Sequence, residues 1–216
     1  MVNVLYEDNH IIAVLKPAGI PVEKGRRNVY LAGQVKDYLK NKYKKPGNVF
    51  LGIVHRLDQP VSGIVLFGKT SKGASRLSEQ FRERELEKVY RAVLVGKLKR
   101  KKGILKSRIK KEGGNYFRAT TDPKGKEAEL EYRIVKEGEF NSLAEIRLGT
   151  GRFHQIRAQF AAIGHPIMGD AKYGSPTVLP EGKIALHSTK LTFMAATGER
   201  KVELVSSEPE YFKELL

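Results

Sequence analysis

Aspartate is scarce in this chain: Asp8, Asp37, Asp58, Asp122 and Asp170 are the whole set. Asp58 is the one in chemically suggestive company. It follows the apolar run 50–54, has His55 and Arg56 just before it, and precedes Pro60 and Ser62-Gly63. A carboxylate shown at a strand end beside basic side chains is placed to act as a base or nucleophile. The same residues also describe an aspartate that caps the turn before Pro60. Arg157 is a second candidate. After Thr150-Gly151, the residues Phe153, Ile156, Phe160 and Ile163 recur at helical spacing, and at about 100° per residue Arg157 falls roughly 80° from the stripe's centre. From there its stem packs at the core margin while its guanidinium reaches an adjoining cleft, or else it makes a structural ion pair. A third group is Glu127, Glu129 and Glu131, on one face of a strand whose other face carries Ala128, Leu130 and Tyr132. Clustered carboxylates suit a metal-dependent nuclease. No histidine is spaced beside these, and a solvated strand face explains them better.

Composition narrows the setting. The 216 residues include 40 Lys and Arg against 24 Asp and Glu, a net charge of +16, and the pI is near 9.9. There is no cysteine, which excludes disulfide scaffolds, zinc fingers, iron–sulfur sites and thiol nucleophiles. No apolar run approaches the roughly 18–20 residues of a membrane span, and residues 1–8 do not read as a secretory leader. The expectation is a cytoplasmic protein with a polyanionic partner and no membrane contact. The excess charge is clustered: nine of the fifteen residues 97–111 are Lys or Arg, Lys99, Arg100, Lys101 and Lys102 among them, and none is acidic. Residues 36–45 add a basic stretch with Tyr38 and Tyr43 interleaved, while 199–216 leans acidic. Such clustering is the footprint of phosphate binding. Gly103 followed by Lys106, Arg108 and Lys110 at every second position predicts a hairpin arm rather than an amphipathic helix.

The elements that must hold these residues can be placed from pattern. Residues 4–6 and 10–15 read as two strands about an Asp8-Asn9 turn, and Pro17, Gly19 and Pro21 punctuate a loop. Residues 30–43 predict a helix with Leu31, Val35, Tyr38 and Leu39 on one side. Strands are expected over 50–54 and 64–67, running into and out of the Asp58 segment. Ser71 reads as the N-cap of a helix to about residue 84 with Ala74, Leu77 and Phe81 inward. Residues 89–95 and the alternation of Ala144, Ile146 and Leu148 read as strands. The mixture lacks a regular βαβ alternation, so the expected class is α+β: one domain over 1–216, with a mixed, mostly antiparallel sheet flanked by helices and loops.

Four stretches, taken together, resemble the RluA family of RNA pseudouridine synthases. They are Lys16-Pro17-Ala18-Gly19 with Ile20-Pro21-Val22; His55-Arg56-Leu57-Asp58 with Ser62-Gly63; Lys88-Val89-Tyr90-Arg91-Ala92 with Val95-Gly96; and residues 150–157, Thr-Gly-Arg-Phe-His-Gln-Ile-Arg, followed by Gly164-His165-Pro166-Ile167 and Gly169-Asp170. They occur in family order over nearly the full length. Two departures stand out. Val61 occupies a place where the family often has Thr, and Met194-Ala195-Ala196 replaces a more usual His-Pro.

The resemblance implies a pseudouridine-synthase fold around an RNA-binding cleft, without a separate N-terminal RNA-binding domain. It implies isomerisation of uridine in ribosomal RNA or a tRNA stem-loop, without cofactor or metal, by a chain expected to be monomeric. It assigns the catalytic carboxylate to Asp58, the aromatic wall for the flipped uracil to Tyr90, and the charge partner of the carboxylate to Arg157. Arg56 would fill the gap left by the flipped base. Arg152 and His154, with Lys99, Arg100, Lys101 and Lys102, would contact RNA. The competing expectation is a non-catalytic RNA-binding or ribosome-assembly protein, for which the set Asp58, Tyr90 and Arg157 would have no use.

Overall fold

The computed structural model describes residues 2–25, 28–113, 118–198 and 200–216. The first elements in the chain are β1 (Asn3–Glu7), β2 (Ile11–Lys16), α1 (Leu31–Lys42), β3 (Gly52–Ile53), β4 (Ser62–Gly68) and α2 (Ser71–Glu83). Strands β5 (Glu87–Val95), β6 (Lys102–Glu112), β7 (Arg118–Thr121), β8 (Lys126–Glu137) and β9 (Asn141–Leu148) follow. Then come α3 (Gln155–Ala162), β10 (Leu186–Met194), β11 (Lys201–Val205) and the short α4 (Tyr211–Glu214). The class is α+β, as the pattern predicts. The chain divides into two compact units, Met1–Glu87 with Ser188–Ser206 and Lys88–His187 with Ser207–Leu216. Among the described residues, no helix is long and apolar enough to cross a membrane.

In the first unit β1 and β2 form an antiparallel hairpin. Its turn is closed by Asp8, whose Oδ1 accepts the N–H groups of His10 and Ile11 at 2.7 Å each. All of β2 pairs with β4. The other edge of β4 is left to β3 and β10, and β11 lies beyond β10. Gly63 adopts φ 126°, and a Cβ there would fall 2.4 Å from the backbone N of Ser188, so only glycine lets β4 and β10 meet at this point. Ile11, Ala13, Ile64 and Leu66 pack with Leu77 of α2 and with Leu191, Phe193 and Leu204 into one apolar core.

The second unit is an antiparallel sheet in the order β5-β9-β8-β6-β7. Helix α3 covers one face: Phe160 meets Tyr132 edge-on at 5.6 Å. The Nε2 of Gln159 reaches the carbonyls of Leu105 and Ala128 and the hydroxyl of Ser107 at 3.0–3.2 Å. The hairpin arm expected over 97–111 is β6, paired with β8 on one edge and β7 on the other. The carboxylate stripe of β8 faces it across the ladder, with Glu127 opposite Arg108 and Glu129 opposite Lys106. Glu131 faces Ile104 on β6 but Arg147 on the other neighbour, β9, so cross-strand charge pairing accounts for all three glutamates.

Several boundaries differ from the sequence expectation. The strand expected over 50–54 shrinks to Gly52–Ile53: Phe50 and Ile53 are exposed, and of the five residues only Leu51 is buried. Asp58 consequently lies in the loop between β3 and β4 rather than at a strand end. Thr70, not Ser71, caps α2, its side chain accepting the N–H of Gly73. Helix α3 begins at Gln155, so Phe153 precedes it, and Ile163 is exposed at its end. The Met194-Ala195-Ala196 departure is accommodated by Gln80, whose amide donates to the Met194 carbonyl at 3.0 Å and accepts its N–H at 2.8 Å.

The basic stretch 36–45 has a use inside the first unit. Glu7, 9% exposed, accepts from Lys42 (2.7 Å), Lys69 (2.6 Å), Tyr43 (2.6 Å) and Tyr38 (3.2 Å). This ties α1 to β1 and to the residue after β4. Burial alone would raise the Glu7 pKa, but hydrogen bonds from Lys42, Lys69 and Tyr43 outweigh it and hold the group at about 2. The exposed reference is 4.5, so this stabilisation is present above that pH and is lost as pH falls toward 2. Glu7→Gln should cost about 2 kcal/mol at pH 7. Urea midpoints of variant and wild type, well separated at pH 7, should draw together as pH is lowered through 3.

Candidate active site

In the first unit, the segment around Asp58 is held by a wholly buried lysine. The ammonium of Lys16, at the end of β2, donates to the carbonyls of Pro17 (3.0 Å), Ile20 (2.6 Å) and Gln59 (3.1 Å). Three acceptors call for three N–H donors, which only the charged form supplies. Burial pulls the Lys16 pKa down to about 7, and the charge of Asp58 opposes that shift. The loop after β2 and the loop carrying Asp58 are also joined through backbone: Gly19 N–H donates to Gln59 O at 2.8 Å, and Gln59 Nε2 returns a bond to Gly19 O at 3.1 Å. Val61 N–H closes on the Asp58 carbonyl at 3.0 Å, so this turn is made by backbone and is indifferent to the Val61 departure. His55 continues the ladder where β3 stops, its Nε2 accepting the Leu66 N–H at 2.8 Å while its ring stacks on Phe81. Asp58 is half-buried on this support. Arg56, with 63% of its side chain exposed, lies 3.5 Å from Glu23 and is open to solvent.

The second unit carries Tyr90 and Arg157. Tyr90 is buried in β5 opposite Ile146. The pairing register puts its side chain on the sheet face that α3 covers. The turn before α3 is fixed by Thr150 and Gln155, both buried. The Thr150 hydroxyl accepts Glu129 N–H (2.9 Å) and donates to Gln155 Oε1 (2.7 Å), while Gln155 Nε2 donates to Glu129 O (3.0 Å). Arg152 is half-buried, with its Nε on the Glu127 carbonyl at 2.8 Å.

Arg157 departs from the expectation of a boundary residue. Every residue from Gln155 to Phe160 is buried, because α3 has the sheet on one side and the 3-10 turn Ala171–Tyr173 on another. The Arg157 side chain is 6% exposed, and its fork engages Asp170, itself 1% exposed, through Nε (2.7 Å) and Nη2 (2.8 Å). The ion pair that pattern left as one alternative is present, with Asp170 as its partner. His154 precedes the helix in the left-handed region (φ 52°), a conformation that costs a non-glycine residue about 1 kcal/mol or more. Its ring nitrogens contact the Tyr173 hydroxyl and Arg157.

The cations of the arm fall into two groups. Lys101 pairs with Glu137, Lys106 with Glu129 (3.0 Å) and Lys110 with Asp122 (3.7 Å), while Arg108 Nε donates to Gly125 O (2.9 Å). Lys97, Lys99, Arg100 and Lys102 are exposed, and among the described residues they make no ion pair. Among the described residues, no group of three His, Asp or Glu side chains gathers where it could hold a metal ion. Sequence reasoning did not single out Lys16 as the support of the Asp58 loop, or Tyr173 as a partner of His154. Their signals were a lysine heading a Pro/Gly loop, and a tyrosine three residues after Asp170.

A family model described as RNA pseudouridylate synthase matches residues 10–162. An uncharacterized RNA pseudouridine synthase of Bacillus subtilis is 35% identical over 195 residues, 88% of this chain and 63% of that protein. The chain thus spans less than two thirds of that relative's length. Ribosomal large subunit pseudouridine synthase D of Xylella fastidiosa is 32% identical over 99% of this chain and 68% of that protein. Among solved structures, human RNA pseudouridylate synthase domain containing 4 superposes with a TM-score of 0.81 at 20% identity, covering 99% of this chain and 91% of that one. That likeness is one of fold.

The support of Asp58 can be tested directly. Lys16→Met keeps the stem but leaves three inward carbonyls without their donor, and should cost about 2–4 kcal/mol of stability. Amide hydrogen exchange should speed up most at Gly19 and Val61, whose bonds fasten this loop. Unchanged exchange at both would show that the loop holds itself.

Proposed function

The chain belongs to the RNA pseudouridylate synthase family, and we propose that it converts uridine in structured ribosomal RNA to pseudouridine. On this reading residues 1–216 act as one catalytic domain, as a monomer in the cytoplasm. The observation that carries it is the half-buried Asp58 on a loop fixed by a buried ammonium, in a chain whose named relatives include ribosomal large subunit pseudouridine synthases.

The chemistry needs little more than a placed carboxylate. The bond between ribose C1′ and uracil N1 breaks, the base turns, and C1′ bonds to C5. The C5 proton leaves to solvent and N1 gains one. The exchange is redox-neutral, so side chains suffice. Asp58 starts it by engaging the sugar, as carboxylates do in glycoside chemistry. The uracil must leave the stack to reach it. Tyr90 supplies an aromatic wall for the extruded base, Arg56 takes the vacated place in the RNA, and Arg157 supplies the cation that favours the ionised carboxylate. Arg152 and the unpaired arm cations Lys99, Arg100 and Lys102 hold phosphates.

Asp58→Asn keeps size and hydrogen bonding but removes the charge. Tritium release from C5 of uracil in single-turnover assays should fall below detection, while RNA affinity stays within about twofold, since phosphate contacts dominate it. Appreciable release by the folded variant would overturn the assignment. In the arm, replacing Lys99, Arg100 and Lys102 by Ala should flatten the log–log salt dependence of binding by up to roughly 0.7–0.9 per lost contact. Lys101→Ala, whose cation already pairs with Glu137, should change the slope least.

A further inference from the structure

We infer that Tyr173 and His154 are positioning residues for Arg157, and that they link its guanidinium to the β6–β7 arm by a directed chain of hydrogen bonds. The inference rests on the reading of Arg157 as part of the isomerase site, and its first observable does not depend on that reading.

The direction of the chain follows from what each group can donate. Arginine has five N–H donors and no acceptor. Its Nη1 lies 3.1 Å from His154 Nε2, so Nε2 must be the accepting nitrogen. The proton of the neutral ring is therefore on Nδ1, 2.8 Å from the Tyr173 hydroxyl, and the tyrosine oxygen accepts it. The same oxygen accepts the backbone N–H of Ala119 in β7 at 2.7 Å. The order is thus Arg157 to His154 to Tyr173, with Ala119 of the arm meeting Tyr173 from the other side. A second proton on the ring would set N–H against N–H at Arg157. The environment agrees: burial first, then the charges of Arg157, Lys172 and Lys111, lower the His154 pKa to about 3.

The spacing explains why two short elements suffice. Asp170 and Tyr173 are three residues apart on one 3-10 turn, and His154 and Arg157 are three apart at the start of α3. One turn meets the other: Asp170 takes the Nε–Nη2 edge of the guanidinium and Tyr173 takes Nη1 through His154. The Tyr173 ring also lies 4.9 Å from Arg157 Cζ. The plane of Arg157 is fixed on two edges and one face. The arm adds its own contacts to the same rings, with Lys111 5.0 Å from the centre of Phe153, which stacks on His154 at 3.8 Å, and Arg118 5.9 Å from the centre of Tyr173. A guanidinium so constrained is pre-oriented rather than mobile, and misplacement by about 1 Å can cost up to a hundredfold in rate. A purely packing role for Tyr173 would need the ring and not the hydroxyl.

The test separates these roles. In wild-type protein, long-range 15N–1H spectra should show His154 protonated at Nδ1 and bare at Nε2. Tyr173→Phe keeps the ring and removes the acceptor. Its single-turnover rate of pseudouridine formation should fall roughly ten- to a hundredfold, with KM for RNA within about twofold. His154→Gln, which retains an acceptor oxygen beside a donor nitrogen, should keep more of the rate than His154→Leu at equal thermal stability, and it serves if Tyr173→Phe does not fold. A wild-type ring protonated at Nε2, a Tyr173→Phe rate equal to wild type, or equal rates for the two His154 variants would overturn the inference. Should the wild-type protein form no pseudouridine, the proposed function fails, and the ring tautomer alone decides the hydrogen-bond direction on which positioning depends.

Discussion

An ammonium withdrawn from water must find hydrogen-bond acceptors, and Lys16 finds three in the carbonyls of two different loops. The architecture of the first unit follows from that requirement. The strand that carries Lys16 is the inner strand of the β1–β2–β4 ladder, so the charge is delivered to a fixed place. The loop after β2 and the loop bearing Asp58 then have no choice but to converge on it. Removing water from such a group costs several kcal/mol unless every donor is used. Its cost and its geometric use are therefore the same fact: the loops are held because the charge demands them. Asp58 inherits a position that its own short segment, with two residues of strand before it, could not define.

The second unit solves the same problem with a different pair. Arg157 and Asp170 are both taken out of water and satisfy each other through a two-bond fork, a geometry that lysine cannot reproduce. The turn before α3 is closed by the amide of Gln155 and the hydroxyl of Thr150, so the helix starts at a defined point on β8. Within one unit, then, a strand, a helix start and a 3-10 turn fix one guanidinium. Buried charge here specifies position, at a cost in desolvation that apolar packing of the same volume would not incur.

Much of this was legible in the sequence, and the exceptions have physical causes. The Asp8-Asn9 turn located the hairpin of β1 and β2, whose inner strand is buried on both faces, and periodicity located helix α1 and the arm, each of which has a more buried and a more exposed face. It overextended the strand before Asp58, since Phe50 and Ile53 are apolar yet exposed, and periodicity cannot tell an apolar residue on the surface from one in the core. It placed Arg157 at the core margin because a helical wheel assumes one wet side, whereas α3 is covered on more than one. Asp58 and Arg157 stood out by their neighbours and spacing, but their roles, and Tyr90 as a site residue, emerged from resemblance in four motifs. What neither route could supply was the identity of the buried partners. Asp170 and Arg157 are thirteen positions apart and Lys16 and Gln59 forty-three, and no periodicity connects them.

The central claim is that this chain rearranges uridine in ribosomal RNA. The most direct measurement is base-resolution mapping of pseudouridine across ribosomal and transfer RNA, from cells with the protein and cells without it. The account predicts that one or a few positions in ribosomal RNA lose the modification when the protein is absent, and regain it when purified protein is added to the unmodified RNA. An unchanged map, with no pseudouridine formed on addition, would contradict it.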